Sequence, residues 1–175
     1  MRLKGFVDTM YETALTSAMI FVILLGAGVL NAFLGFSQLP NWTAELFQNA
    51  GVPPLLIILG MIILYLFLGC IMDSLAMILI TIPIFWPIVA GLDFGMPVDD
   101  VKLWYGIIIL MVVEIGLITP PVGLNVFVIN SLARDVPMID TFRGVMPFLA
   151  ADTVRLALIV LVPAVSLLLP HLIGG

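Results

Sequence analysis

Two stretches of the chain place polar or helix-breaking residues inside long apolar segments. The first runs from Gly69 to Ser74 within the apolar block 52–92, and it carries Asp73 beside Ser74. The oxygens of these side chains, and the backbone carbonyls of residues 69–72, are suitable ligands for a small cation. Asp73 is equally suited to cap the N-terminus of a following helix. The two roles are compatible, and the sequence leaves both open.

The second stretch interrupts the apolar block 103–132. It reads Gly116-Leu117-Ile118-Thr119-Pro120-Pro121-Val122-Gly123. Two consecutive prolines cannot continue a helix, because each lacks an N–H and each disfavours helical geometry in the residue before it. The apolar flanks predict that the chain stays in the membrane as a discontinuous helix with an unwound centre. The alternative is that the prolines only kink a packing helix.

Paired interruptions of this kind are typical of transporter binding sites. Broken helices expose amides at half-helix N-termini, which suit anions, and carbonyls at C-termini, which suit cations such as sodium. Asn125 follows the second interruption closely and is a better site candidate than Asn130. Glu114 precedes it, and an ionisable group inside a membrane indicates function. We expect Glu114 to relay protons, to shape the site, or to pair with Arg155 or Lys102.

The composition indicates an integral membrane protein. Hydrophobic residues make up 63% of the chain and charged residues 10%, with a mean hydropathy of +1.29. A soluble domain carries about 25% charged residues. The basic residues form no patch, which argues against nucleic acid binding. Cys70 and His171 are each the only residue of their type, so a Cys/His zinc site of the usual spacing is excluded. Nothing in the sequence indicates an enzyme.

The fold class predicted from these patterns is all-α, with short connections. We expect an interfacial helix at 1–15, a span at 16–36, a re-entrant hairpin at 53–91, a broken span at 103–132 and a final span at 147–170. Two short spans joined by a tight turn are the alternative to the hairpin. Asp152 and Arg155 are spaced to pair on one helical face.

The basic residues predict the orientation. Arg2, Lys4, Arg134 and Arg143 fall on one side of this arrangement, and Lys102 falls on the other. The positive-inside rule therefore predicts a cytoplasmic N-terminus. The hairpin and the two-span alternative lead to the same orientation.

Two motifs in the chain resemble those of one transporter family. The run Gly69-x-Ile71-Met72-Asp73-Ser74-x-Ala76-Met77-x-Leu79-Ile80, followed by Pro83 and Pro87, is similar to the second hairpin of the large membrane subunit of TRAP (tripartite ATP-independent periplasmic) transporters. The run Glu114-Ile115-Gly116-Leu117-Ile118-Thr119-Pro120-Pro121-Val122-Gly123-Leu124-Asn125 is similar to that family's second broken helix. The end of the chain, with Pro163 and Ser166 to Pro170, is similar as well.

The resemblance implies a function and its partners. Such subunits lie in the inner membrane of bacteria or archaea and import organic acids, such as C4-dicarboxylates or sugar acids, with sodium. A periplasmic solute-binding protein delivers the substrate, and a small membrane subunit braces the scaffold. By resemblance, sodium is the coupling ion and no other cofactor is implied. Its site would draw on Met72, Asp73, Gly116 and Thr119, and the wider site would include Gly69, Ser74, Pro120, Pro121, Gly123 and Asn125.

The length of the chain leaves other functions open. It resembles only the second inverted repeat of the family, so we expect the missing N-terminal repeat to be a further partner. The chain is then a fragment, a split gene product or one half of a two-chain subunit. The alternatives are a non-transporting membrane scaffold and a sodium/dicarboxylate symporter that works without a binding protein.

Overall fold

The computed structural model describes residues 3–132 and 136–174, and every regular element in these two ranges is an α-helix. In chain order the helices are α1 (Leu3–Ser37), α2 (Leu39–Asn49), α3 (Pro54–Gly69), α4 (Ser74–Ala90), α5 (Val98–Ile118), α6 (Leu124–Leu132), α7 (Met138–Leu161) and α8 (Ala164–Gly174). The expected all-α class is confirmed. Arg2 and Arg134, which entered the orientation argument, lie outside the described residues.

The N-terminal part differs from the expected division into a helix at 1–15 and a span at 16–36, because α1 is continuous. No proline interrupts it, and three threonines donate to carbonyls one turn earlier; Thr9 donates to Gly5 at 2.8 Å. The helix ends where Gln38 takes a φ of 53°. The next segment, expected as a connection, forms the short helix α2. Pro40 is tolerated there because it lies in the first turn, where its missing N–H costs nothing.

Helices α3 and α4 are the two arms of the segment 53–91. They contain 16 and 17 residues, so each is about 24–26 Å long at 1.5 Å per residue. Both therefore fall short of the roughly 30 Å hydrocarbon core of a bilayer. Inside the pair, the hydroxyl of buried Tyr65 lies 2.6 Å from Thr81 Oγ1. Because Thr81 donates its own proton to the Met77 carbonyl at 2.6 Å, Tyr65 is the donor between the arms.

Helix α5 lies at the centre of the described chain and packs against α3, α4, α6, α7 and α8. Its side chains Ile108, Val112 and Val113 are fully buried. Trp104, also buried, donates from Nε1 to the carbonyl of Ile159 in α7 at 2.8 Å. By contrast, within the described ranges α1 contacts only α2 and α4, and α2 contacts only α1 and α4. Apart from the covalent connection of α2 to α3 at residues 50–53, the N-terminal helices are therefore attached to the rest of the described chain through α4.

The C-terminal part differs from the single span expected at 147–170. Helix α7 already begins at Met138, runs through Pro147 and ends at Leu161, and α8 follows. The helix stops because Pro163 has no N–H to offer the Ile159 carbonyl and disfavours helical geometry at Val162, whose φ and ψ are −129° and 77°. Trp104 supplies the missing donor.

Three helices in the part of the chain that the structure describes are long and apolar enough to cross a membrane, namely α1, α5 and α7. Helices α3, α4 and α8 are apolar but shorter. In α1 and α7 most side chains of the apolar window face outward. A helix whose exposed side is apolar requires lipid or another apolar surface around it. The arrangement is that of a multi-pass membrane protein.

Candidate functional site

The first interruption lies at residues 70–73, between α3 and α4. Asp73 is exposed and takes an extended conformation, and its Oδ2 accepts hydrogen bonds from the N–H groups of Leu75 at 3.1 Å and Ala76 at 3.4 Å. The expected capping role of Asp73 is therefore confirmed. A carboxylate at this position also interacts favourably with the positive end of the α4 dipole. Its role as a cation ligand stays a prediction.

The second interruption, residues 119–123, separates α5 from α6. Thr119 leaves the helix with a ψ of 133°, while its Oγ1 still donates to the Ile115 carbonyl at 2.6 Å. The expected discontinuous helix is therefore present, rather than a kinked continuous one. Gly123 ends the break with a φ of +53°. A Cβ there would lie 3.2 Å from Phe142 Cε1, so conformation and space both favour glycine.

The two interruptions touch each other through a pair of glycines. A Cβ built on Gly69 would lie 2.9 Å from the Cα of Gly116, and a Cβ on Gly116 would lie 2.9 Å from the Cα of Gly69. The obstructing atoms are backbone, which cannot rotate away as a side chain can. Only glycine at both positions permits this approach between α3 and α5. The hairpin tip and the break in α5 are thus fixed together at one point.

The thiol of Cys70 lies beside the contact between Gly69 and Gly116 and reaches carbonyls on both sides of it. This buried side chain lies 3.3 Å from the Leu66 carbonyl within its own helix, 3.9 Å from the Gly116 carbonyl and 3.7 Å from the Thr119 carbonyl. A thiol is a weak donor, and these distances are those of weak, shared hydrogen bonds. Sequence reasoning found no role for Cys70. The one feature of the sequence that could have indicated a role is that Cys70 directly follows Gly69.

The polarity of the helix ends around the contact between Gly69 and Gly116 determines which ions can bind there. Gly69 is the last residue of α3, and Gly116 lies in the last turn of α5. Two helix C-termini therefore converge, and the carbonyls there carry partial negative charge. Helices α4 and α6 begin beyond the two interruptions and direct their N–H groups toward them. Converging carbonyl ends favour a cation, while free amides at a helix start favour an anion.

The other candidate residues occupy the edges of this region. Ser74 is half-buried at the start of α4, and Pro120 and Pro121 are exposed in the break. Asn125 is exposed on α6. Asn130 instead donates to the carbonyl of Val136 at 2.8 Å, which ties the end of α6 to the segment before α7.

Of the charged residues considered from the sequence, only Asp152 and Arg155 pair as expected, at 2.8 Å. The side chain of Glu114 is exposed. Within residues 3–132 and 136–174, Glu114 forms an ion pair with neither Arg155 nor Lys102. Neither of the two pairings considered for Glu114 is therefore present in this part of the chain. Arg155 instead pairs with Asp152, which lies one turn away on the same helix.

These features define a multi-pass helical membrane protein in which two helix interruptions meet. Comparison with known proteins identifies its family. The family model described as the DctM component of tripartite ATP-independent periplasmic transporters matches residues 1–165. The chain belongs to this family, as its motifs predicted.

Several relatives carry transporter names. The sialic acid TRAP transporter large permease protein SiaM of Vibrio cholerae is 32% identical over 99% of this chain. The C4-dicarboxylate TRAP transporter large permease protein DctM of Pseudomonas aeruginosa is 36% identical over 99% of the chain. The chain spans 39% of the length of each of these two proteins. It also matches 25% of the isethionate TRAP transporter permease protein DctMQ of Oleidesulfovibrio alaskensis, at 33% identity.

Proposed function

We propose that this chain is the C-terminal part of the large permease subunit of a sodium-coupled TRAP transporter that imports organic acids. The contact between Gly69 and Gly116 carries the proposal, because it joins the last residue of α3 to the last turn of α5. Carbonyl oxygens from both interruptions and the nearby Asp73 are a suitable environment for sodium. The free amides at the start of α6 suit a substrate carboxylate.

The proposal includes partners. A periplasmic solute-binding protein delivers the substrate, a small membrane subunit supports the scaffold, and the remaining part of the large subunit supplies the first repeat. The names of the relatives support organic-acid anions as substrates, since sialic acid and C4-dicarboxylates carry carboxylates and isethionate carries a sulfonate. The hairpin formed by α3 and α4 is proposed to be re-entrant, in keeping with the short length of both arms. The N-terminus is proposed to be cytoplasmic, in the inner membrane.

Asp73 provides the sharpest test of sodium coupling. Asparagine can accept the same backbone hydrogen bonds at a helix start, so Asp73→Asn removes the charge while retaining the cap. We expect the variant to raise the sodium concentration for half-maximal uptake about tenfold, which corresponds to about 1.4 kcal/mol. The assay is sodium-driven uptake of a C4-dicarboxylate into proteoliposomes that contain the complete transporter, with the binding protein added outside.

Asp93 offers a matched control. It lies in the loop between α4 and α5, and its Oδ1 accepts a hydrogen bond from the Gly95 N–H at 2.8 Å. Asp93→Asn therefore makes the same chemical change at an exposed turn, and it should leave the sodium dependence unaltered. Equal sodium affinity in the Asp73→Asn and Asp93→Asn variants would show that the Asp73 carboxylate does not contribute to sodium binding. Full uptake without sodium would reject coupling itself, and full uptake without the binding protein would favour a simple symporter.

Thr119 is tested in the same assay. Thr119→Val keeps the shape of the side chain and removes the oxygen at the edge of the break. The control is Thr153→Val in α7, where Oγ1 makes an equivalent bond to the Leu149 carbonyl at 2.8 Å. We expect reduced sodium affinity for the first variant only. Indistinguishable uptake curves would exclude the Thr119 hydroxyl as an ion ligand.

A further inference from the structure

A histidine and an aspartate join helix α8 to the start of α5. His171 Nε2 lies 2.8 Å from Asp100 Oδ1, and 71 positions separate the two residues in the sequence. A carboxylate only accepts hydrogen bonds, so the imidazole N–H is the donor. Neither residue belongs to the two interruptions, and the function proposed above does not use them.

Few other contacts hold α8 in place in the two described ranges. The helix follows the non-helical residue Val162 and packs only against α5 and α7. Leu167 is the one buried side chain among residues 164–173. The hydroxyl of Ser166 donates locally, to the Pro163 carbonyl at 2.8 Å. The bond to α5 is therefore the one side-chain hydrogen bond that ties α8 to another helix in this part of the chain.

Protonation of the imidazole strengthens this bond. The side chain of His171 is 60% exposed, so it exchanges protons with water. Histidine is the side chain whose charge ordinarily changes between about pH 5 and 8. The neutral ring can donate from Nε2, but a charge-assisted hydrogen bond is roughly twice as strong. The helix ends act in the same direction, because His171 lies in the last turn of α8 and Asp100 in the first turn of α5.

The other charged groups on the elements around α8 are paired or lie on another part of the surface. On α7 the charged side chains form two pairs within the helix, Asp140 with Arg143 and Asp152 with Arg155. On α5, Asp99 and Lys102 line a separate groove, and Glu114 lies about four turns further along the helix. In the loop before α5, Asp93 accepts a hydrogen bond from the backbone. The carboxylate of Asp100 is therefore the acidic partner of the imidazole.

We propose that the pair of His171 and Asp100 is a pH-sensitive latch, which holds α8 against α5 more firmly at acidic than at alkaline pH. The latch is strongest below about pH 6, where the imidazole is charged, and it weakens to a neutral hydrogen bond as the pH rises toward about 8. In the orientation proposed above, the loop before α5 lies outside the cytoplasm, so the latch would respond to external pH. The latch itself depends neither on that orientation nor on the proposed transport activity.

Hydrogen exchange of the complete transporter in lipid nanodiscs, measured by mass spectrometry at about pH 5.5 and about pH 8, tests the proposal. Dividing the intrinsic exchange rate of each amide at that pH by its measured rate gives a protection factor. We expect the protection of α8 to be about 1.5- to 5-fold higher at the acidic pH, the range that exposed ion pairs give. Helix α6 carries no ionisable side chain and is the internal reference. A change in α8 no larger than that in α6 would overturn the proposal.

Three variants then assign the pH effect to the pair. His171→Gln keeps an uncharged donor on α8 and should abolish the pH dependence of α8 protection. Asp100→Asn keeps an uncharged acceptor on α5 and should strongly reduce that dependence. The matched control, Asp99→Asn, makes the same change at the neighbouring acidic residue of the first turn and should retain it. An unchanged pH effect in His171→Gln or Asp100→Asn, or its loss in Asp99→Asn, would overturn the latch. The wild-type measurement decides the main question even where a variant fails to fold.

Discussion

Replacing Gly116 with alanine tests the contact on which the candidate site depends. The new Cβ would lie 2.9 Å from the Cα of Gly69. Carbon atoms in favourable contact lie about 3.5–4.0 Å apart, so α3 and α5 would have to separate by about 0.6–1.1 Å. Overpacking of this kind costs about 1–3 kcal/mol. Removing a helical glycine returns about 0.5–1 kcal/mol.

We therefore expect Gly116→Ala to lower the free energy of unfolding by about 0–2.5 kcal/mol, measured by SDS titration in mixed micelles. Sodium-driven uptake should fall as well, because the carbonyl ends of the two helices move apart. The control is Gly106→Ala in the same helix, where a Cβ would meet nothing within 4 Å. That variant should be neutral or stabilising by up to about 1 kcal/mol.

The reasoning fails if Gly116→Ala is as stable as Gly106→Ala and retains wild-type uptake. The two glycines would then tolerate a larger separation than the structure shows. The mirror variant Gly69→Ala faces the same backbone obstacle at 2.9 Å and should behave as Gly116→Ala does. Opposite results for these two variants would also contradict a mutual contact.

Two buried hydrogen bonds lead to further predictions, each measured by the same SDS titration. Tyr65→Phe removes the donor that joins the two hairpin arms and should cost about 0.5–1.5 kcal/mol; Tyr11→Phe, at an exposed tyrosine, is the control and should cost nothing measurable. Trp104→Phe leaves the buried Ile159 carbonyl without its donor and should cost about 1–3 kcal/mol. Exposed Trp42→Phe is its control, and equal losses from the two tryptophan variants would contradict the role assigned to Trp104.

The features predicted from sequence are those that local chemistry determines. Asp73 caps a helix because a carboxylate at that position meets free N–H groups two and three residues later. Helix α5 ends before Pro120 and Pro121 because two prolines cannot continue it. Both effects act within a few residues. The all-helical class follows just as directly from long apolar segments that must satisfy their own backbone in lipid.

The features that escaped prediction depend on residues distant in sequence. The family resemblance placed Gly69 and Gly116 in one site, but nothing in the sequence indicates that their backbones are in direct contact. Cys70 reaches the Gly116 carbonyl across 46 positions. Helix α2 looked like a connection because Pro40 and Asn41 favour turns, but burial of Ala44 in the shared core stabilises it as a helix. Likewise, the polar residues before Pro147 resemble a connection, yet α7 already begins at Met138. Asp140 and Arg143 fit into its first turns because they are exposed and pair with each other.

The attachment of α1 and α2 to α4 has a mechanical consequence. Within the described residues, a small rotation of these two helices about the long axis of α4 would disturb no helix packing against α3, α5 or α7, and it would strain only the connection at residues 50–53. The contact between Gly69 and Gly116 would remain intact during such a rotation. A force that a neighbouring membrane protein exerts on α1 would therefore reach the site by two routes, through α4 and through the connection to α3. On the first route a tilt of α4 would move Asp73, because this residue lies at the N-terminal end of the helix.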